Sequence, residues 1–176
     1  SCSIMLKLLL VFSYFTDGFA FAGEALTGKF VGVRWPQMVR QTVDYTFGWS
    51  MGIGIIFVFI YAVFGVSMVR VLTSDGIVVE ATRAFMPWLF LFPLVSCPAF
   101  TWDGIYTGAT ATKAMRDSNI GCVIAFFTVW LLGMFLIRPK GTAAAHLLFA
   151  AYYAHVIFRS LYQTFLYEKS IIRPLL

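Results

Sequence analysis

Two carboxylates lie inside apolar stretches of this chain, Asp17 within Tyr14-Phe15-Thr16-Asp17-Gly18 and Asp103 within Ala99-Phe100-Thr101-Trp102-Asp103-Gly104. A third, Glu24, follows Asp17 by seven residues, two helical turns, so both acids share nearly one face of a helix. Placing an ionised carboxylate in the middle of a lipid bilayer costs about 3 kcal/mol by insertion measurements. Acids retained there face a protein interior or a watery cavity, where they bind protons, inorganic cations or cationic ligands. Two of them in one poorly hydrated place compete for a shared proton. The chemistry to expect is cation handling.

The residues around these acids extend that expectation. Thr107 and Thr110 stand one and two turns after Asp103, giving a carboxylate and hydroxyl stripe suited to a small cation. Upstream, Pro87, Pro93 and Pro98 each remove a backbone donor and tend to kink a helix, which frees carbonyls where helices line transporter cavities. Near the C-terminus Tyr152, His155, Arg159, Tyr162 and Gln163 recur at spacings of three and four, forming one polar face. Arg159 falls at about the depth of Glu24. A Glu24 to Arg159 ion pair is the expected static arrangement, with Arg159 as a cation displaced by incoming substrate the functional alternative. His155 reads as a packing histidine, with a proton role as its alternative.

The elements that must position these groups follow from composition. Of 176 residues 60% are apolar and 12% charged, and the mean hydropathy is +0.84, far from a soluble domain, in which about a quarter of residues are charged. A span needs about 20 mostly apolar residues. The expected fold is all-α, a polytopic integral membrane bundle of five transmembrane helices near residues 4–33, 46–71, 83–113, 119–137 and 142–167, all in one membrane domain over 1–176. The linkers Arg34 to Asp44, Thr73 to Ala81, Met115 to Asn119 and Arg138 to Gly141 carry most of the charge, with Pro36 and Pro139 as turn formers.

Cys2, Cys97 and Cys122 fall in or beside apolar runs and read as small buried residues, not as a disulfide or metal site. The net charge of +5 is spread over helix ends, which argues against a nucleic-acid partner. Lys29, Arg34, Arg40, Lys113, Arg116, Lys169 and Arg173 oppose Arg70, Arg83, Arg138 and Lys140, favouring a cytoplasmic C-terminus. Ser1 leads almost at once into membrane-grade sequence without an initiator Met or secretory signal, so the chain is expected to begin upstream of its first residue here. The spacings Gly28 to Gly32, Gly48 to Gly52 and Gly104 to Gly108 permit close helix contact within one bundle.

Enzyme chemistry is not expected. The Asp-Gly pair also opens the motif of CDP-alcohol phosphotransferases, but Ala22 and Gly108 stand where that motif needs Arg, and no paired aspartates follow. There is no zinc-protease helix motif, nucleophile elbow, phosphate loop or Cys/His ligand cluster. No cofactor is expected.

The run from Phe12 through Thr16-Asp17-Gly18 and Gly23-Glu24 to Gly28 closely resembles the eighth helix of the DinF-like branch of MATE (multidrug and toxic compound extrusion) transporters. The run from Asp103-Gly104 to Ala109-Thr110, ending in Ala114-Met115-Arg116-Asp117-Ser118, is similar to that branch's tenth helix and following loop. The resemblance implies helices eight to twelve of a twelve-helix protein, most of one six-helix lobe, lying in a bacterial inner membrane. It implies a proton or sodium gradient driving efflux of small organic cations, in concert with an N-terminal lobe that this chain lacks. It also implies that Asp103 matches an acid linked to cation binding in the NorM-type branch, and that Asp17 and Glu24 line the same lobe. Alternatives are a stand-alone membrane scaffold whose acids are ion-paired and inert, or a flippase for lipid-linked substrates.

Overall fold

The computed structural model describes residues 2–73 and 76–176 of the chain. Among these residues there is no strand. Five long helices and one short one follow in order: α1 (Cys2–Gly32), α2 (Pro36–Leu72), α3 (Gly76–Arg83), α4 (Met86–Gly108), α5 (Thr112–Leu136) and α6 (Thr142–Tyr167). A π-helical turn (Glu168–Ile172) and a 3-10 turn (Arg173–Leu175) close the chain. Four helices are long and apolar enough to cross a membrane: α1 over Leu6–Gly32, α2, α4 and α5. At 26 residues, roughly 39 Å, α6 has the length to cross, but its two histidines, Arg159 and Gln163 dilute its apolar content.

Several boundaries differ from the expected ones, each for a local reason. Pro36 is not a linker residue: it occupies the first turn of α2, where its missing N–H costs nothing, and the helix begins ten residues earlier than hydropathy alone places it. Pro87 likewise starts α4 and does not kink it; Pro93 and Pro98 lie inside. The linker expected over Thr73 to Ala81 contains α3, which an exposed Glu80 to Arg83 pair spans, while its residues 74 and 75 lie outside the described residues. The Cys2 side chain also lies outside them.

The α4 boundary matters most. The helix ends at Gly108, where Ala111 N–H reaches back to the Tyr106 carbonyl and Thr110 N–H to the Thr107 carbonyl. This double bond closes a helix around a left-handed residue, ordinarily glycine. Here that residue is Thr110, at φ 53°, and Arg34 (φ 51°) ends α1 in the same way. With no glycine marking the stop, the sequence pattern runs on past it.

Helix α4 is the centre of the bundle, packed against α1, α2 and α6 and more lightly against α5. Two glycines make the α1 contact close: a methyl on Gly104 would overlap the Ala20 carbonyl, and one on Gly108 the Glu24 carbonyl. Gly28 answers from α1, with 3.3 Å between its Cβ position and the Gly108 carbonyl oxygen. The small-residue spacing at 104 and 108 therefore seats α1 backbone against α4, the arrangement by which membrane helices gain packing without hydrophobic drive. One apolar cluster joins Phe12, Phe57, Tyr61, Leu89, Phe92 and Phe149; a second joins Val39, Val43, Trp102, Ile105, Tyr106 and Ile172. Phe59, Val63, Phe135 and Phe165 point outward, as a lipid-facing surface would require.

At the start of α2, Arg40 holds Glu168 of the C-terminal turn through two hydrogen bonds, the Nη2 to Oε2 bond at 3.0 Å. This anchors the tail against the bundle. Replacing Gly104 by Ala should cost more than about 3 kcal/mol, because backbone must move, whereas Gly48→Ala, with nothing within 4 Å of its Cβ position, should stay within about 0.5 kcal/mol. Thermal unfolding of the two variants in detergent checks the difference.

Candidate functional site

Asp103 projects from α4 toward α6, and the two helices are held in register on either side of it. Trp102 donates its indole N–H to Thr164 Oγ1 at 2.8 Å, and Tyr106 donates its hydroxyl to the Gln163 carbonyl at 2.6 Å. Between these fixed points the Asp103 carboxylate forms an ion pair with Arg159, Nη2 to Oδ1 at 2.7 Å, and accepts a hydrogen bond from Gln163 Nε2 at 3.2 Å. Both contacts fall on the same oxygen, Oδ1. Arg159 and Gln163 are four apart on α6, so one helix face supplies both donors. The pair is not sealed, since each side chain keeps 23% of its surface exposed.

Two polar atoms of this cluster are buried without a partner: Arg159 Nε, a donor, and Gln163 Oε1, an acceptor. Asp17, half-buried on α1, lies close enough for its charge to act on Asp103, and no ion pair engages it among the described residues. The cluster is thus one carboxylate, one guanidinium and one amide between α4 and α6, with Asp17 of the neighbouring α1 near enough for its charge to reach Asp103. An apolar groove of about 320 Å³ lies farther along the same helices, lined by Leu9 and Ser13 of α1, Phe92 of α4, Phe126 of α5 and Phe149 and Tyr152 of α6. Ser13 is one turn from Asp17, and Tyr152 two turns from Arg159.

A family model, MatE, matches residues 1–137, more than three quarters of the chain. The chain belongs to the MatE family. A curated relative, DNA damage-inducible protein F of Escherichia coli (strain K12), is 27% identical over 130 residues, which is 74% of this chain and 28% of that protein. The chain therefore matches little more than a quarter of that relative's length. No solved structure matches. Membership in this family of transporters, with four helices able to cross a membrane, makes this a multi-pass membrane protein related to transporters.

In this MatE chain the expected residues are distributed unevenly. Asp103 and Arg159 come together, and Gln163, seen in the sequence only as part of a polar face, joins them; Asp17 acts on Asp103 through its charge. Glu24 does not pair with Arg159, because α6 packs on α4 and α5 and brings its guanidinium to Asp103. Glu24 is half-buried, without an ion pair among the described residues. The hydroxyl stripe below Asp103 does not form: Thr107 is exposed and turned to Met115 Sδ at 3.7 Å, and Thr110 lies beyond the helix end. His155 stacks on Tyr152 (6.2 Å between centroids, 6° between planes) and approaches the Cys122 backbone of α5. His146 accepts a bond from the Trp88 indole at 2.9 Å and is a packing group.

The proline region of α4 is also answered by protein groups. Ser96 donates to the Phe92 carbonyl at 2.7 Å, Tyr153 donates to the Trp88 carbonyl, and the Cys97 thiol donates to the Ser50 carbonyl at 3.2 Å. Thr101 donates to Ser50 Oγ at 2.9 Å. These bonds stitch α4 to α2 and α6. Removing the Arg159 charge alone, Arg159→Met, should lower stability by about 1–2 kcal/mol by stranding Asp103, and Asp103→Leu added to it should recover most of the loss. The thermal midpoints of the single and double variants measure this.

Proposed function

We propose that this chain is part of the C-terminal lobe of a cation-coupled efflux transporter that expels small organic cations against a proton or sodium gradient. The observation that carries the reading is the Asp103 to Arg159 pair, bonded through one carboxylate oxygen, 23% exposed on each side and within reach of the charge of a second acid, Asp17. A guanidinium bonded through both carboxylate oxygens is held more firmly than one in contact with a single oxygen. This one is open to exchange.

Arg159 acts as a tethered cation. When a proton or sodium ion neutralises Asp103, the guanidinium loses its counterion, and the packing of α4 on α6 that the bond favoured loses its advantage. A ligand drives a conformational change only through such a difference in binding between two states. The substrate's charge is met by the acids, and its hydrocarbon body by the groove of about 320 Å³, within the size range of small-ligand sites. The expulsion pathway is completed by an N-terminal lobe. The protein resides in a bacterial inner membrane among lipids, with its C-terminus in the cytoplasm.

In cells expressing the full reading frame, Asp103→Asn should reduce ethidium efflux at least tenfold with membrane abundance unchanged. Efflux retained at that abundance overturns the reading. The same 2.7 Å pair favours a second reading, a membrane scaffold in which the acid is inert. Exchanging the charges, Asp103→Arg with Arg159→Asp, separates the two: a scaffold keeps its fold and its assembly, while a transporter keeps its fold and loses efflux.

A further inference from the structure

Gln163 is the least exposed polar residue of the charged cluster, at 1% of its surface, and only half of its amide is used. Its Nε2 donates to Asp103 Oδ1 at 3.2 Å, while its Oε1 has no partner. One turn earlier on the same helix, Arg159 spends Nη2 on Asp103 and leaves its Nε–H buried and unpaired. One unused acceptor and one unused donor thus lie four residues apart on one helix face, the spacing at which helical side chains meet. A polar atom left unsatisfied inside protein is unfavourable. Both side chains are instead directed to the Asp103 carboxylate.

We infer that Gln163 is the second seat of Arg159: when Asp103 is neutralised, the guanidinium turns along α6 and donates to Gln163 Oε1. The inference rests on the reading of Asp103 as a group that gains a proton or cation. It adds a positioning residue that the polar periodicity of α6 did not single out. An amide suits the place because it both donates and accepts. In the resting arrangement Nε2 supports the ionised carboxylate; in the neutralised one Oε1 receives the released cation. A leucine there could do neither, and a glutamate would hold Arg159 permanently. The Gln163 backbone is pinned by the Tyr106 hydroxyl at 2.6 Å, so the switch needs only side-chain rotation.

A stability cycle in the full-length protein, purified in detergent, tests this without reference to transport. Asp103→Asn mimics the neutralised site. If Gln163 receives Arg159, Gln163→Leu lowers the thermal midpoint more in the Asp103→Asn background than in the wild type, by about 2–4 °C. If Gln163 serves only as a donor to Asp103, the order reverses, because the charged acceptor it supported is already gone, and the inference fails. Should the leucine variants not fold, Gln163→Glu replaces them. Added to Asp103→Asn it returns the midpoint to near the wild-type value if position 163 can hold the guanidinium, and absence of that recovery overturns the inference. Loss of this coupling with efflux still dependent on Asp103 would reject the second seat alone; intact coupling with efflux independent of Asp103 would reject the transport reading alone.

Discussion

A carboxylate and a guanidinium can share the inside of a membrane bundle only if the helices that carry them cannot slide past each other. Taking each ion out of water costs several kcal/mol, and the attraction between them offsets that cost only at hydrogen-bonding distance. Here the distance is 2.7 Å, and it is set by neutral bonds on either side: Trp102 to Thr164 and Tyr106 to the Gln163 carbonyl. Those bonds in turn need α4 centred in the bundle. The close seating of α1 on Gly104 and Gly108 and the Ser50, Thr101 and Cys97 contacts to α2 provide this. Glycine placement, helix register and the ion pair form one chain of dependence.

Much of this architecture is legible in the sequence because the solvent imposes it. Lipid cannot satisfy backbone groups, so long apolar runs must be helices, and their number and order follow. The fold class, the position of Asp103 on a central apolar helix and the close contact at Gly104 and Gly108 all belong to this kind of information. Helix ends do not. Thr110 and Arg34 take left-handed conformations that the sequence pattern reserves for glycine, so α4 is read too long and the second hydroxyl of the stripe, Thr110, is placed on a helix that has already ended. Pro36 poses the converse problem, since the same residue that ends one helix can begin another.

Lateral neighbours are the other illegible quantity. Depth along a span can be counted in residues, and both Glu24 and Asp103 qualify by depth as partners for Arg159. Which of them α6 meets depends on how the helices are arranged around α4, and hydropathy carries no information about that. A usable signal was nonetheless present. Arg159 and Gln163, four apart, make a pair of donors converging on one point, the array a single carboxylate accepts; Asp103, flanked by Trp102 and Tyr106 on a helix that is otherwise nearly apolar, is its natural match.

Charge bookkeeping in the cluster gives the last step. Asp103 and Arg159 cancel, and Asp17, on the α1 helix packed against α4, adds a negative charge that reaches Asp103. Under the proposed function, a proton, an inorganic cation or the head of an organic one each competes with Arg159 for Asp103. Competition among cations for a shared anionic point is sufficient to couple the movement of one to the movement of another, without direct contact between them, provided that the protein holds them in turn and not together. The single-oxygen bond between Arg159 and Asp103 meets that condition, because a guanidinium held by one oxygen yields its place to a competitor more readily than one held by two.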